Sequence, residues 1–169
     1  NSFARKAFKN EFFFFQSYFI KNNRRGRDFA AAFDVWDMKD LESHKGIISS
    51  SLDIFEKLYG YKSKVFTPPA MFYNPEIENV LAEEQISWLD VGRFFKIPLV
   101  GGGERFQYNY LGRKKKSGLK VLVRNAVFET NMSEHDNGVV RCMYDIEQAF
   151  QSKQPALISN HRASFVGGL

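Results

Sequence analysis

Apolar positions along the chain fall into segments of two kinds, helical and strand-like. Residues 3–20 place Phe3, Ala7, Phe8, Phe12, Phe15 and Phe19 at helical spacing, which predicts a first helix. After Arg24-Arg25-Gly26-Arg27, Phe29 to Phe33 (FAAAF) is apolar at every position and ends at Asp34, as suits a strand buried on both faces. Residues 41–59 carry Leu41, Ile47, Ile48, Leu52, Phe55, Leu58 and Tyr59, an amphipathic helix closed by Gly60. Lys64 to Thr67 reads as a strand stopped by Pro68-Pro69. Asn74-Pro75 is an N-cap with proline at the first helical position, followed by the buried stripe Ile77, Val80, Leu81. Ile86 to Leu89 and Leu119 to Val123 predict two more strands. Residues 137–151, with Val139, Val140, Met143, Ile146, Ala149 and Phe150, predict a helix. Pro155 to Ser159 predicts the last strand.

The pattern is therefore α/β, with strands and helices alternating as in parallel βαβ units. An open sheet or part of a (β/α) barrel satisfies it. Five strands are too few to close a barrel. The chain starts at Asn1 and stops on Gly168-Leu169, so residues 1–169 read as a single domain cut at both ends.

Composition narrows this picture. With 169 residues, 44% hydrophobic and 25% charged, the chain has ordinary globular usage and room for one domain. Phe alone contributes 18 residues, which points to an extensive core or an aromatic-lined cleft. No apolar run approaches the length of a membrane span. The formal charge of +5 is a weak invitation to an anionic polymer. A single cysteine, Cys142, excludes an intrachain disulfide and a cysteine-based structural zinc site, and reads as a buried thiol. Compartment and oligomeric state stay open.

Candidate chemistry collects at the strand ends: Asp34, Thr67-Pro68-Pro69, Asp90, Arg124-Asn125 and Asn160-His161-Arg162. Carboxyl ends of parallel strands share one rim, where α/β folds build active sites. His161 is the candidate catalytic residue, because an imidazole titrates near neutrality and can give a proton to a leaving group. Asp34, Asp90, Arg124, Asn125 and Arg162 would line the rim and hold substrate. Arg124 either grips a carboxylate or phosphate of a ligand or forms a salt bridge with Asp90 or Asp34. Residues 92–118 lack a regular pattern, as binding loops do, but Phe106, Tyr108 and Tyr110 alternate and permit a hairpin strand. Tyr108 and Tyr110 are candidate substrate-binding residues, since aromatic faces stack on sugars. Arg113 to Lys116 reads as a solvated turn, and His44 and His135 as solvated side chains.

Phe66-Thr67-Pro68-Pro69, Tyr73-Asn74-Pro75-Glu76, the strand Ile86 to Leu89 and the late Leu157-Ile158-Ser159-Asn160-His161 resemble the polysaccharide deacetylases, the NodB-like carbohydrate esterases. Val123-Arg124-Asn125 and Ile158 to Gly167 are similar to a divergent bacterial branch of them. The resemblance spans roughly residues 28–167. It implies a distorted (β/α) barrel and metal-assisted removal of acetyl groups from a glycan. An Asp would act as base, an Asp with two His would hold a divalent metal, and His161 would be the general acid. The chain departs from that pattern. The F-D-D motif would lie before Asn1, no histidine precedes His44, and Thr67 stands in place of the motif's arginine. The metal ligands are therefore unknown.

Three functions follow. The first is a deacetylase-like hydrolase of an acetylated carbohydrate. The second is a non-catalytic relative that binds glycan through Phe106, Tyr108 and Tyr110. The third is a nucleic-acid-binding module using Arg24, Arg25, Arg27 and Lys114 to Lys116.

Overall fold

The computed structural model describes residues 31–129 and 137–161. The expected helix at 3–20, Arg162 and His135 lie outside the described residues. Helix α1 (Met38–Tyr59) opens on a reciprocal cap. Asp37 accepts from the backbone of Lys39 (2.8 Å) and Asp40 (3.1 Å), and Asp40 accepts from the Asp37 N–H (3.1 Å). It closes at Gly60, whose φ of 74° is the left-handed conformation that glycine adopts without strain. Strand β1 (Val65–Phe66) follows. Asn74 then caps a 3-10 turn, Pro75–Ile77, by accepting from the Glu76 N–H at 3.0 Å. This turn leads into helix α2 (Glu78–Glu83).

Strand β2 (Trp88–Asp90) lies between β1 and strand β5 (Lys120–Leu122), parallel to both. Strands β3 (Phe94–Pro98) and β4 (Glu104–Tyr108) form an antiparallel hairpin inserted between β2 and β5. Residues 123–125 carry β5 directly into strand β6 (Ala126–Phe128). There the backbone changes partner: Val91 N–H donates to Leu122 (3.1 Å), whereas Asn125 N–H donates to Leu157 (3.0 Å). Helix α3 (Gly138–Gln151) packs on β6, and strand β7 (Ile158–Asn160) pairs with β6 in parallel.

One core joins the first sheet, the hairpin and helices α1 and α2. Ile48, Ile77, Leu81, Leu89, Phe95, Ile97 and Val121 are all buried in it. Each such side chain removed from water stabilises the fold by roughly 1.5–3 kcal/mol. Tyr73 belongs to this core and donates its phenol to Glu78 Oε1 at 2.8 Å. Burial, with the Glu78 carboxylate alongside, pushes the Tyr73 phenol well above its ordinary value. Lys115 joins the same carboxylate at 3.0 Å with its side chain only 8% exposed.

Several expectations are corrected. Residues 31–33 form a turn, closed by Asp34 N–H on the Ala31 carbonyl at 3.0 Å, and not the end of a strand. The segment 92–118 contains the hairpin that the alternation of Phe106, Tyr108 and Tyr110 permits. Strand β6 has no counterpart in the sequence reading. Lys115 leaves the solvated turn to pair with Glu78, and His44 is buried edge-on to Phe33 at 5.1 Å. Helix α3 forms as expected, but it buries Cys142 and Ala149 and exposes Val139, Val140, Met143 and Phe150. The α/β class and the parallel strands stand. No closed barrel is formed by the described residues.

Candidate functional site

The carboxyl ends of β1, β2 and β5 meet because the three strands are neighbours with one direction. Asp90 ends the central strand. Arg124 Nη2 donates to its Oδ2 at 2.6 Å and Arg124 Nε to its Oδ1 at 3.3 Å. This is the two-pronged geometry that a planar guanidinium makes with a carboxylate. Thr67, just past β1, adds its hydroxyl to Oδ2 at 3.2 Å. The salt-bridge alternative for Arg124 is thus the one the structure adopts. The Asp90 side chain is 13% exposed and that of Arg124 34%, so the pair sits at the surface of the core.

Asp34 is buried, and its carboxylate accepts the indole N–H of Trp36 at 3.1 Å. Phe33, in the same turn, stands edge-on to Phe66 with ring centroids 5.5 Å apart. The Asp34 turn therefore borders the end of β1. The hairpin tip also seats here, with Gly101 N–H on the Trp36 carbonyl at 2.9 Å.

A second polar pair stands beyond β6 and β7. The register sets Phe128 beside Asn160, so Glu129 and His161 leave the two strands side by side. His161 Nδ1 lies 2.6 Å from Glu129 Oε1. Glu129 is 20% exposed and His161 80%, so the carboxylate is sheltered and the imidazole open to solvent. A carboxylate on one ring nitrogen fixes the tautomer and leaves the other nitrogen for proton transfer. Glu129 was missed in the sequence because β6 is three residues long. No local pattern points to it, because its place beside His161 is set by the β6–β7 register.

Asn125 faces the chain itself. Its amide donates to the Pro155 carbonyl at 3.1 Å and accepts from Leu157 N–H at 2.8 Å, which ties the approach to β7 onto the β5–β6 link. Tyr108 and Tyr110 are both exposed on the hairpin. Among the described residues no three His, Cys, Asp or Glu side chains gather as a metal ion would require, and no helix is long and apolar enough to cross a membrane.

Comparison with curated proteins and with solved structures finds no match. Residues 35–152 match the sequence model of glycosyl hydrolase family 57. That match overturns the resemblance to polysaccharide deacetylases. The proline turns and strand ends that carried it occur here in a glycoside hydrolase chain, and short motifs at strand ends are read more safely from the whole pattern than from themselves. The matched residues include Asp90, Arg124 and Glu129, whereas Asp34 and His161 flank them. The chain belongs to glycosyl hydrolase family 57, and so to the carbohydrate-active hydrolases.

Proposed function

We propose that this chain hydrolyses a glycosidic bond at the carboxyl rim of its parallel strands, with Glu129 and His161 handling the proton. The 2.6 Å contact between these two side chains, at adjacent strand ends, is the observation that carries the reading. In this reading Glu129 holds the Nδ1 proton and steadies the imidazolium. Nε2 gives its proton to the departing glycosidic oxygen as the bond from the anomeric carbon breaks. Water adds its oxygen to that carbon, and its surplus proton returns to the imidazole. In the same reading Asp90, fixed by Arg124 and Thr67, supplies an oriented carboxylate to the substrate, and preorganised charge of this kind stabilises a developing cation. Asp34 and Arg162 remain candidate substrate contacts, with Tyr108 and Tyr110 on the hairpin. The parallel strands support a sector of a (β/α) barrel, the architecture known for this family.

The test is release of new reducing ends from a panel of neutral oligosaccharides by the full chain and its variants. Glu129→Gln and His161→Ala are each expected to lower kcat by about a hundredfold. Unchanged rates in both variants would remove the pair from the mechanism. Saturable sugar binding without turnover by the unmodified chain would favour a glycan-binding relative.

A further inference from the structure

We infer that the outer face of the β3–β4 hairpin is a binding surface for a neutral glycan chain, centred on Phe94 and Tyr108. The inference rests on the carbohydrate reading above and extends it to a particular surface. Alternation along the hairpin turns Phe95 and Ile97 into the core and Phe94 and Lys96 outward. The register sets Tyr108 opposite Phe94 and Phe106 opposite Lys96, so all four share the outer face. Phe94, Phe106, Tyr108 and Tyr110 are each more than half exposed, a concentration of aromatic surface that hydration alone does not favour.

Geometry gives the surface its shape. The rings of Phe94 and Tyr108 lie 5.6 Å apart at 63°. One ring offers its flat face and the other stands as a wall, a corner suited to the apolar face of a pyranose. Lys96 Nζ lies 5.5 Å from the centre of the Phe106 ring and 3.6 Å from Glu104. The cation on this face is therefore already matched by a carboxylate and a π-system. A polyanion would have to displace both partners, whereas a neutral sugar can use Lys96 and Glu104 as donor and acceptor.

The hairpin is held in place. Asn74 donates to the Pro98 carbonyl at 2.9 Å, and fully buried Asn109 donates to the Gly92 carbonyl at 3.3 Å. Gly102, at φ 86°, lies so close to Trp36 that an added Cβ would meet the ring at 3.0 Å. An aromatic corner on a fixed ribbon binds without a cost for ordering it.

Affinity electrophoresis of the full chain tests this, in gels cast with soluble starch, hydroxyethyl cellulose or carboxymethyl cellulose. The expected result is retardation by a neutral polymer that persists in salt. Phe94→Ala or Tyr108→Ala should weaken it about tenfold, as losing one stacked ring implies, and Phe94→Trp should restore it. Val140→Ser, remote in sequence and on helix α3, serves as the control. Equal retardation of the alanine variants and the unmodified chain would overturn the proposal. So would retardation by carboxymethyl cellulose alone, or none in any gel from a chain that still cleaves oligosaccharides. Retardation without cleavage would uphold the surface and count against the hydrolytic mechanism.

Discussion

Sheet β1-β2-β5 and pair β6-β7 are both built of parallel strands followed by polar residues, yet they are buried to different depths. Leu89 and Val121 of the first are fully buried and share a core with α1, α2 and the hairpin. In the second, Ala126 is buried under α3, but none of its residues joins that core, and α3 keeps Val139, Val140, Met143 and Phe150 exposed. Asp145 of that helix accepts from the Val127 N–H at 3.2 Å, so a polar contact does there what apolar packing does in the first sheet. The lesson is that parallel pairing alone brings polar residues side by side at strand ends, whatever packs beneath. Asp90 and Arg124 stand at the end of the well-packed sheet, Glu129 and His161 at the end of the lighter pair.

The comparison can be broken by substitution. The largest effect is expected from Leu89→Ala, which opens a cavity under the first sheet and should cost about 3 kcal/mol in urea denaturation. A loss below about 1 kcal/mol would deny the difference in depth. Tyr73→Phe comes next, at about 1 kcal/mol for the lost bond to Glu78. Its pH dependence sharpens the point. In the folded chain the Tyr73 phenol keeps its proton above its ordinary value near 10.0, and in the unfolded chain it does not. The stability it confers is complete below about pH 10 and falls as pH rises beyond, by about 1.4 kcal/mol per unit. The phenylalanine variant should therefore show a shallower alkaline limb in thermal melts. The smallest effect belongs to Val140→Ser, expected within about 0.5 kcal/mol because the side chain is already in water.

The helices were legible because their signals are local. Gly60 and Asn74-Pro75 mark ends within one turn of the chain, and apolar spacing marks the stripe. The exposed face of α3 was not legible, since periodicity reports that a helix has an apolar side and not what covers it. Strand β3 was hidden because Phe94-Phe95-Lys96-Ile97-Pro98 shows aromatic residues on both faces. At the site, Asp90 and Arg124 stood out as strand ends, and their mutual pairing was one of two readings until strand order decided it. Glu129 depends on a register between segments some thirty residues apart, which no local pattern encodes. Lys115 and His44 went wrong for a related reason: charged and titratable side chains enter the interior when a distant partner or ring receives them.

The three-residue link between β5 and β6 sets a ceiling on how far apart Arg124 and Glu129 can stand. They are five residues apart in one chain, so their backbones lie roughly 17 Å apart at most. That ceiling belongs to the covalent chain itself, whatever packs on either side. A single-residue insertion in that link would lengthen the tether between the two polar pairs and leave the β6–β7 register, and with it the contact of Glu129 and His161, in place.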